Sequence, residues 1–197
     1  MNKSRLEAFS DGVFAIIITI MVLELKVPES TAWEAIHHLL PIFGCYILSF
    51  IFVGIYWNNH HHLIKTMVRV NGATMWANMH LLFWLSLVPF ATTWMGVNNF
   101  ERITVATYGC LLLMCGLSFT LLTKVIIKGY KEETPLIKAL KTDKHRSVLA
   151  VAFYILSIPS ALYIHPGVAA FFFVAVAIMW LLPNKAIEKV LSNENDD

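Results

Sequence analysis

Two short stretches place ionisable side chains at the margins of long apolar runs: Arg5-Leu6-Glu7-Ala8-Phe9-Ser10-Asp11-Gly12 and Trp57-Asn58-Asn59-His60-His61-His62. Charged groups in such surroundings are costly, so they mark a function or a partner. Three histidines in a row suggest a metal site, yet successive helical residues point about 100° apart, whereas paired ligands need i,i+3 or i,i+4 spacing. His60 and His61 therefore read better as partners for Asp11 or Arg5 on a neighbouring helix. On one helix Arg5 and Asp11 stand about 120° apart around the axis and about 9 Å apart along it, too far to pair with each other. Each calls for a partner elsewhere, which predicts a polar cluster between helices. The plainer alternative is an arginine snorkelling to headgroups and an aspartate capping a helix start. Asn78 could join the cluster or serve packing alone.

Other chemistries find little support. A bis-histidine haem needs two histidines facing each other at one depth. His37, His38, His60, His61, His62, His80 and His165 instead fall near the ends of apolar runs on both sides. There is no Gly-x-Ser-x-Gly elbow, no His-Glu-x-x-His and no phosphate loop. Cys45, Cys110 and Cys115 lie inside apolar runs without a Cys-x-x-Cys spacing, so neither a disulfide framework nor a metal site follows. The reading is no enzyme, no metal and no cofactor.

The elements that would position these residues are helices in a membrane. Of 197 residues, 57% are hydrophobic and 14% charged, against about 45–50% and 25% in a soluble domain. Runs of about 20 apolar residues recur, each long enough to cross a bilayer. The prediction is an all-α polytopic protein, a single six-helix transmembrane domain over 1–197. Its spans fall near Leu6–Leu25, Ile36–Trp57, Ala73–Trp94, Ile103–Ile126, Val148–Ile164 and Val168–Leu182. Pro28, Asn71-Gly72, Gly96-Val97-Asn98-Asn99 and His165-Pro166-Gly167 punctuate them. The first run is no cleavable signal, since it carries Asp11 and Glu24 and leads straight into further spans.

An even number of spans puts both termini on one side. Of the 15 lysines and arginines, all but Lys26 and Arg102 then share that side, which the positive-inside rule assigns to the cytoplasm. Trp57, Trp94 and Trp180 sit where interfacial anchors belong. The basic loop at about 127–147 suits anionic lipid rather than nucleic acid. The acidic tail Ser192–Asp197 reads as a frayed terminus. The expected location is the cell membrane, as a multi-pass protein.

Gly12, Ile16, Thr19, Ile20 and Leu23 share one face of the first helix at i+3 and i+4 steps. Such a stripe is commonly a packing seam. Around a symmetry axis, the same residues form hydrophobic constrictions that gate by dewetting.

Arg5-x-x-x-Phe9-Ser10-Asp11 resembles the opening signature of the transmembrane protein 175 potassium-channel family, in its single-repeat bacterial form. Trp57-x-x-His60-His61 and Asn78 with Pro89-Phe90 are similar to that family's other recurrent segments. The resemblance implies a cation channel without the Thr-Val-Gly-Tyr-Gly filter, built as a homotetramer with the first helix of each chain lining the pore. It also implies that Ile16 forms the constriction, that Thr19 bears on selectivity, and that Ile20 and Leu23 supply further hydrophobic rings. Two-repeat relatives carry a serine just before the constricting isoleucine, where this chain has Ala15; the implied preference for potassium over other monovalent cations is modest. The alternative is a secondary transporter using Asp11 and the histidines as a proton relay, but the internal repeats and broken midplane helices usual in transporters are not seen.

Overall fold

The computed structural model describes residues 2–28, 30–67, 69–130 and 144–182. The protein is an all-α polytopic membrane protein. Its helices are α1 (Lys3–Leu23), α2 (Trp33–Thr66), α3 (Gly72–Ser86), α4 (Val88–Val97), α5 (Arg102–Lys128), α6 (Lys144–Pro159) and α7 (Pro166–Leu181). A π-helical turn, Ser160–Ile164, extends α6. Among the described residues, five stretches are long and apolar enough to cross a bilayer: α1, Leu39–Thr66 of α2, α3 with α4, α5, and His145–Ile164. Helix α7 is a shorter apolar one.

Local chemistry sets the ends. Asn2 caps α1 by accepting from the Ser4 amide at 3.2 Å, and Asn71 caps α3 by accepting from the Thr74 amide at 2.8 Å. His165 Nδ1 accepts from the Gly167 amide at 3.0 Å and opens α7 in the tight turn between the last two passes. The third pass breaks at Leu87, because Pro89 cannot donate to the preceding turn, and resumes as α4. Pro159 plays the same part ahead of the π turn, which the His165 amide closes onto the Ser160 carbonyl at 2.9 Å.

The second pass departs from expectation. Its helix does not end at Trp57 but continues to Thr66, through all three histidines, for 34 residues. That is about 51 Å of helix, against a hydrocarbon core of about 30 Å. The side chains of Asn58–His62 look like a loop on composition alone. Asn59 returns its amide to the Ile55 carbonyl at 2.8 Å, and His60 and His61 find partners on other helices, which holds the polar stretch in the helix.

Helix α5 is central, packed on α3, α4, α6 and α7, whereas α1 packs on α2, α3 and α4 at one margin. With lipid as solvent, helices associate through close packing and hydrogen bonds rather than water exclusion. Gly96 shows how close: a Cβ there would lie 2.8 Å from the Ile42 Cα. At Gly109 it would lie 2.9 Å from Ser157 Oγ. Deep in the bundle, Ser49 Oγ lies 2.8 Å from Tyr108 Oη and 2.7 Å from Thr92 Oγ1, itself 2.7 Å from the Val88 carbonyl. A carbonyl only accepts and Thr92 has one proton. All three contacts are satisfied when protons run Tyr108 to Ser49 to Thr92 to Val88, tying α5, α2 and α4.

Much of the basic loop, including Lys131, Lys138 and Lys141, lies outside the described residues. So do Lys185, Lys189 and the tail Ser192–Asp197.

Candidate functional site

Helix α1 has two unlike faces. Leu6, Ser10, Phe14, Ile17 and Met21 are buried, at steps of four, four, three and four residues. The opposite face carries Arg5, Phe9, Gly12, Ala15, Ile16, Thr19, Ile20 and Leu23, all exposed. Ile16 is 59% and Leu23 74% accessible. The Thr19 hydroxyl donates to the Ala15 carbonyl at 2.8 Å, so its proton is held within the helix and its oxygen remains an acceptor.

The first half of α1 is laced to the last half of α2. Lys3 Nζ donates to the Lys65 carbonyl at 2.6 Å, Glu7 Oε1 lies 3.0 Å from His61 Nδ1, and Asp11 Oδ1 accepts from Trp57 Nε1 at 3.0 Å. Residues 3, 7 and 11 climb one helix by fours while 65, 61 and 57 descend the other. The result is an antiparallel ladder with one rung per turn. Trp57 and His61 stack with ring centroids 6.1 Å apart, filling the space between two rungs.

A second line crosses three helices. Ser10, fully buried, donates to the Leu6 carbonyl at 2.9 Å and accepts from Asn78 Nδ2 at 3.0 Å. Asn78 Oδ1 lies 2.7 Å from His60 Nε2. An amide oxygen only accepts, so the His60 proton sits on Nε2 and the chain runs from α2 through α3 to the α1 backbone. The Phe14 ring packs against His60 with centroids 5.5 Å apart. His60 Nδ1 is buried without a hydrogen-bond partner among the described residues.

The structure thus joins Ser10, Asp11, Trp57, His60, His61 and Asn78 around α1, but with different pairings from those expected. Asp11 meets Trp57 rather than a histidine or Arg5. His60 meets Asn78, and His61 meets Glu7. Arg5 is exposed with no hydrogen-bond or ion-pair partner among the described residues, and Phe9 is 51% accessible. Sequence reasoning passed over Lys3 and Glu7 as ladder members; their i,i+4 spacing with Asp11, matched by Trp57, His61 and Lys65, was the available signal. It also missed Ser49, Thr92 and Tyr108, whose hydroxyls are unremarkable in apolar runs. His61 and His62 meet edge to face with ring centroids 5.8 Å apart, while His60 turns to Asn78, and no group of three potential metal ligands converges among the described residues.

A potassium channel of Chryseobacterium sp. (strain P1-3) is 52% identical over 191 residues, covering 97% of this chain and 98% of that one. The chain belongs to the TMEM175 family. The TMEM175 family model, described as the endosomal/lysosomal potassium channel TMEM175, matches residues 5–89, which hold the Ser10–Asn78–His60 line and every rung of the ladder but that of Lys3. A potassium channel of Chamaesiphon minutus is 31% identical over 153 residues, covering 73% of each chain. The crystal structure of a lysosomal potassium-selective channel TMEM175 homolog from that organism superposes with a TM-score of 0.80 at 25% identity. The match covers 91% of this chain and 96% of that one. TMEM175 proteins are channels, not enzymes.

Proposed function

We propose that four copies of this chain form a potassium-permeable channel in the cell membrane, with both termini cytoplasmic and α1 of each copy lining the pore. One observation carries the reading: the face bearing Ile16, Thr19, Ile20 and Leu23 is exposed, while the opposite face is buried and pinned at two polar lines. A helix held so firmly on one side, with a lone hydroxyl among branched apolar groups on the other, suits a symmetric ring around an axis. A groove lined by Ile20, Glu24, Pro89, Phe90 and Trp94 continues that face toward α4, where a neighbouring copy can seat. Ile16 is the narrowest ring, Ile20 and Leu23 are further hydrophobic rings, and Thr19 offers the oxygen that favours potassium. With Ala15 before the constriction the preference over sodium is modest. Basic residues support the orientation: Lys3, Arg5, Lys65, Arg69, Lys124, Lys128 and Arg146 share one end of the bundle.

The test is potassium flux in proteoliposomes, normalised to tetramer yield measured by detergent-corrected size. Ile16→Ala raises flux per tetramer if Ile16 is the constriction. Unchanged flux per tetramer would place the pore on another helix, and a monomer at full activity would remove the ring.

A further inference from the structure

Two buried phenols enter neither polar line nor the Tyr108–Ser49–Thr92 chain. Tyr56 on α2 and Tyr154 on α6 are 9% and 2% accessible, and neither phenol has a hydrogen-bond partner among the described residues. Both line a slender cavity of about 40 Å³ between α2, α5, α6 and α7, away from α1. Neither hydroxyl is sealed in apolar packing, for neither belongs to the fully enclosed, unpartnered atoms of the bundle. Gly116 forms part of the wall: a Cβ there would stand 3.7 Å from Tyr56 Oη and 3.6 Å from the Tyr154 ring. Phe52, Phe119, Val151 and Trp180 supply apolar walls, Asn59, Thr120 and Ser147 add polar groups at the lining, and no charged side chain lines the space.

A buried phenol without a partner is costly, and an apolar slot with a few convergent polar groups is the usual form of a small-molecule site. We infer that this cavity binds a slender, neutral amphiphile, a straight aliphatic body with one hydroxyl or carbonyl head that pairs with Tyr56 and Tyr154. A lining without charged side chains disfavours a charged head, and the enclosed part of the cavity suffices for about three waters or the head of an aliphatic chain. Water alone would satisfy the hydroxyls but not the apolar walls.

Occupancy is felt at α1 through α2. Tyr56 and Asn59 face the cavity, while Trp57, His60 and His61, interleaved with them, hold α1. A ligand that shifts this turn of α2 moves the rungs on its other side.

The experiment uses the full-length protein and 3-bromo-1-propanol as probe. Diffraction at the bromine edge from soaked crystals is expected to show bromine between Tyr56 and Tyr154, and none in Gly116→Leu, whose side chain fills the slot. In proteoliposomes the alcohol changes potassium flux at least twofold in the parent. Gly116→Leu abolishes that response, and the double variant Tyr56→Phe/Tyr154→Phe needs about tenfold more alcohol for the same effect. The phenylalanines keep the rings, so this variant remains informative where Gly116→Leu fails to fold. Water without bromine at saturation overturns the site. An equal flux response in the parent and the Tyr56→Phe/Tyr154→Phe variant assigns the effect to the bilayer and overturns the coupling. The bromine readout stands whether or not α1 lines the pore.

Discussion

The Trp57 indole donates to the Asp11 carboxylate at 3.0 Å, so the acid that opens the first pass is held by a neutral donor from α2. An uncharged partner makes the acceptor oxygen, rather than the negative charge, the feature that matters. Asp11→Asn keeps an acceptor and is expected to assemble normally, whereas Asp11→Ala loses about 1–3 kcal/mol of stability. Thermal midpoints in detergent and tetramer yield check this. Fully assembled Asp11→Ala channels with an altered sodium-to-potassium ratio would put the carboxylate in the ion path instead.

Asn78 uses both ends of its amide, toward His60 and Ser10. Asn78→Leu strips His60 of its hydrogen bond in a buried site and is expected to cost about 1–3 kcal/mol. Ser10→Ala removes one interhelical bond and is expected to cost about 0.6 kcal/mol. Equilibrium unfolding of both variants orders them; a Ser10→Ala loss equal to that of Asn78→Leu would show that the serine, not the amide, anchors the line.

Thr19 and Ile16 separate selectivity from leak. Thr19→Val keeps the volume and removes the oxygen, so the potassium-to-sodium flux ratio falls while total flux per tetramer changes little. Ile16→Asn wets the constriction, raising flux and eroding preference together. If both positions only pack, neither ratio nor flux per tetramer moves, and Ile16→Ala shows up as a stability loss of roughly 2–5 kcal/mol.

Gly96 and Gly116 form a matched pair of probes. A methyl at Gly96 meets the Ile42 backbone at 2.8 Å and must push two helices apart, whereas at Gly116 it meets ring atoms at ordinary contact distance. Gly96→Ala is expected to cost about 1–3 kcal/mol, and Gly116→Ala close to nothing. Equal midpoints for the two would mean that α2 and α4 yield easily at their crossing.

The passes and the presence of a polar cluster near Asp11 were legible in the sequence, because apolar length and charge placement are one-dimensional signals. Pairings were not. Whether Asp11 meets His61 or Trp57 depends on the register and rotation of α2 against α1, and a slide of one turn exchanges the two. The length of α2 was misread because Asn58–His62 are polar. What keeps them helical is contact with α1 and α3, which composition does not record. The Tyr108–Ser49–Thr92 line stayed hidden for a like reason: a serine or threonine hydroxyl in a helix can bond its own backbone as readily as a neighbour, and only packing brings the Tyr108 phenol to Ser49.

The break at Leu87 divides the third pass into two rigid pieces with separate anchors. Helix α3 is fastened through Asn78 to α1 and α2; α4 is fastened through Thr92 and Gly96 to α2. No single straight rod carries force from one anchor to the other. Load on one anchor reaches the other through the neighbours the two pieces share, α1, α2 and α5, rather than along one continuous helix. Damage to the two anchors should accordingly add, with a coupling energy within about 0.5 kcal/mol in the Asn78→Leu/Thr92→Val cycle.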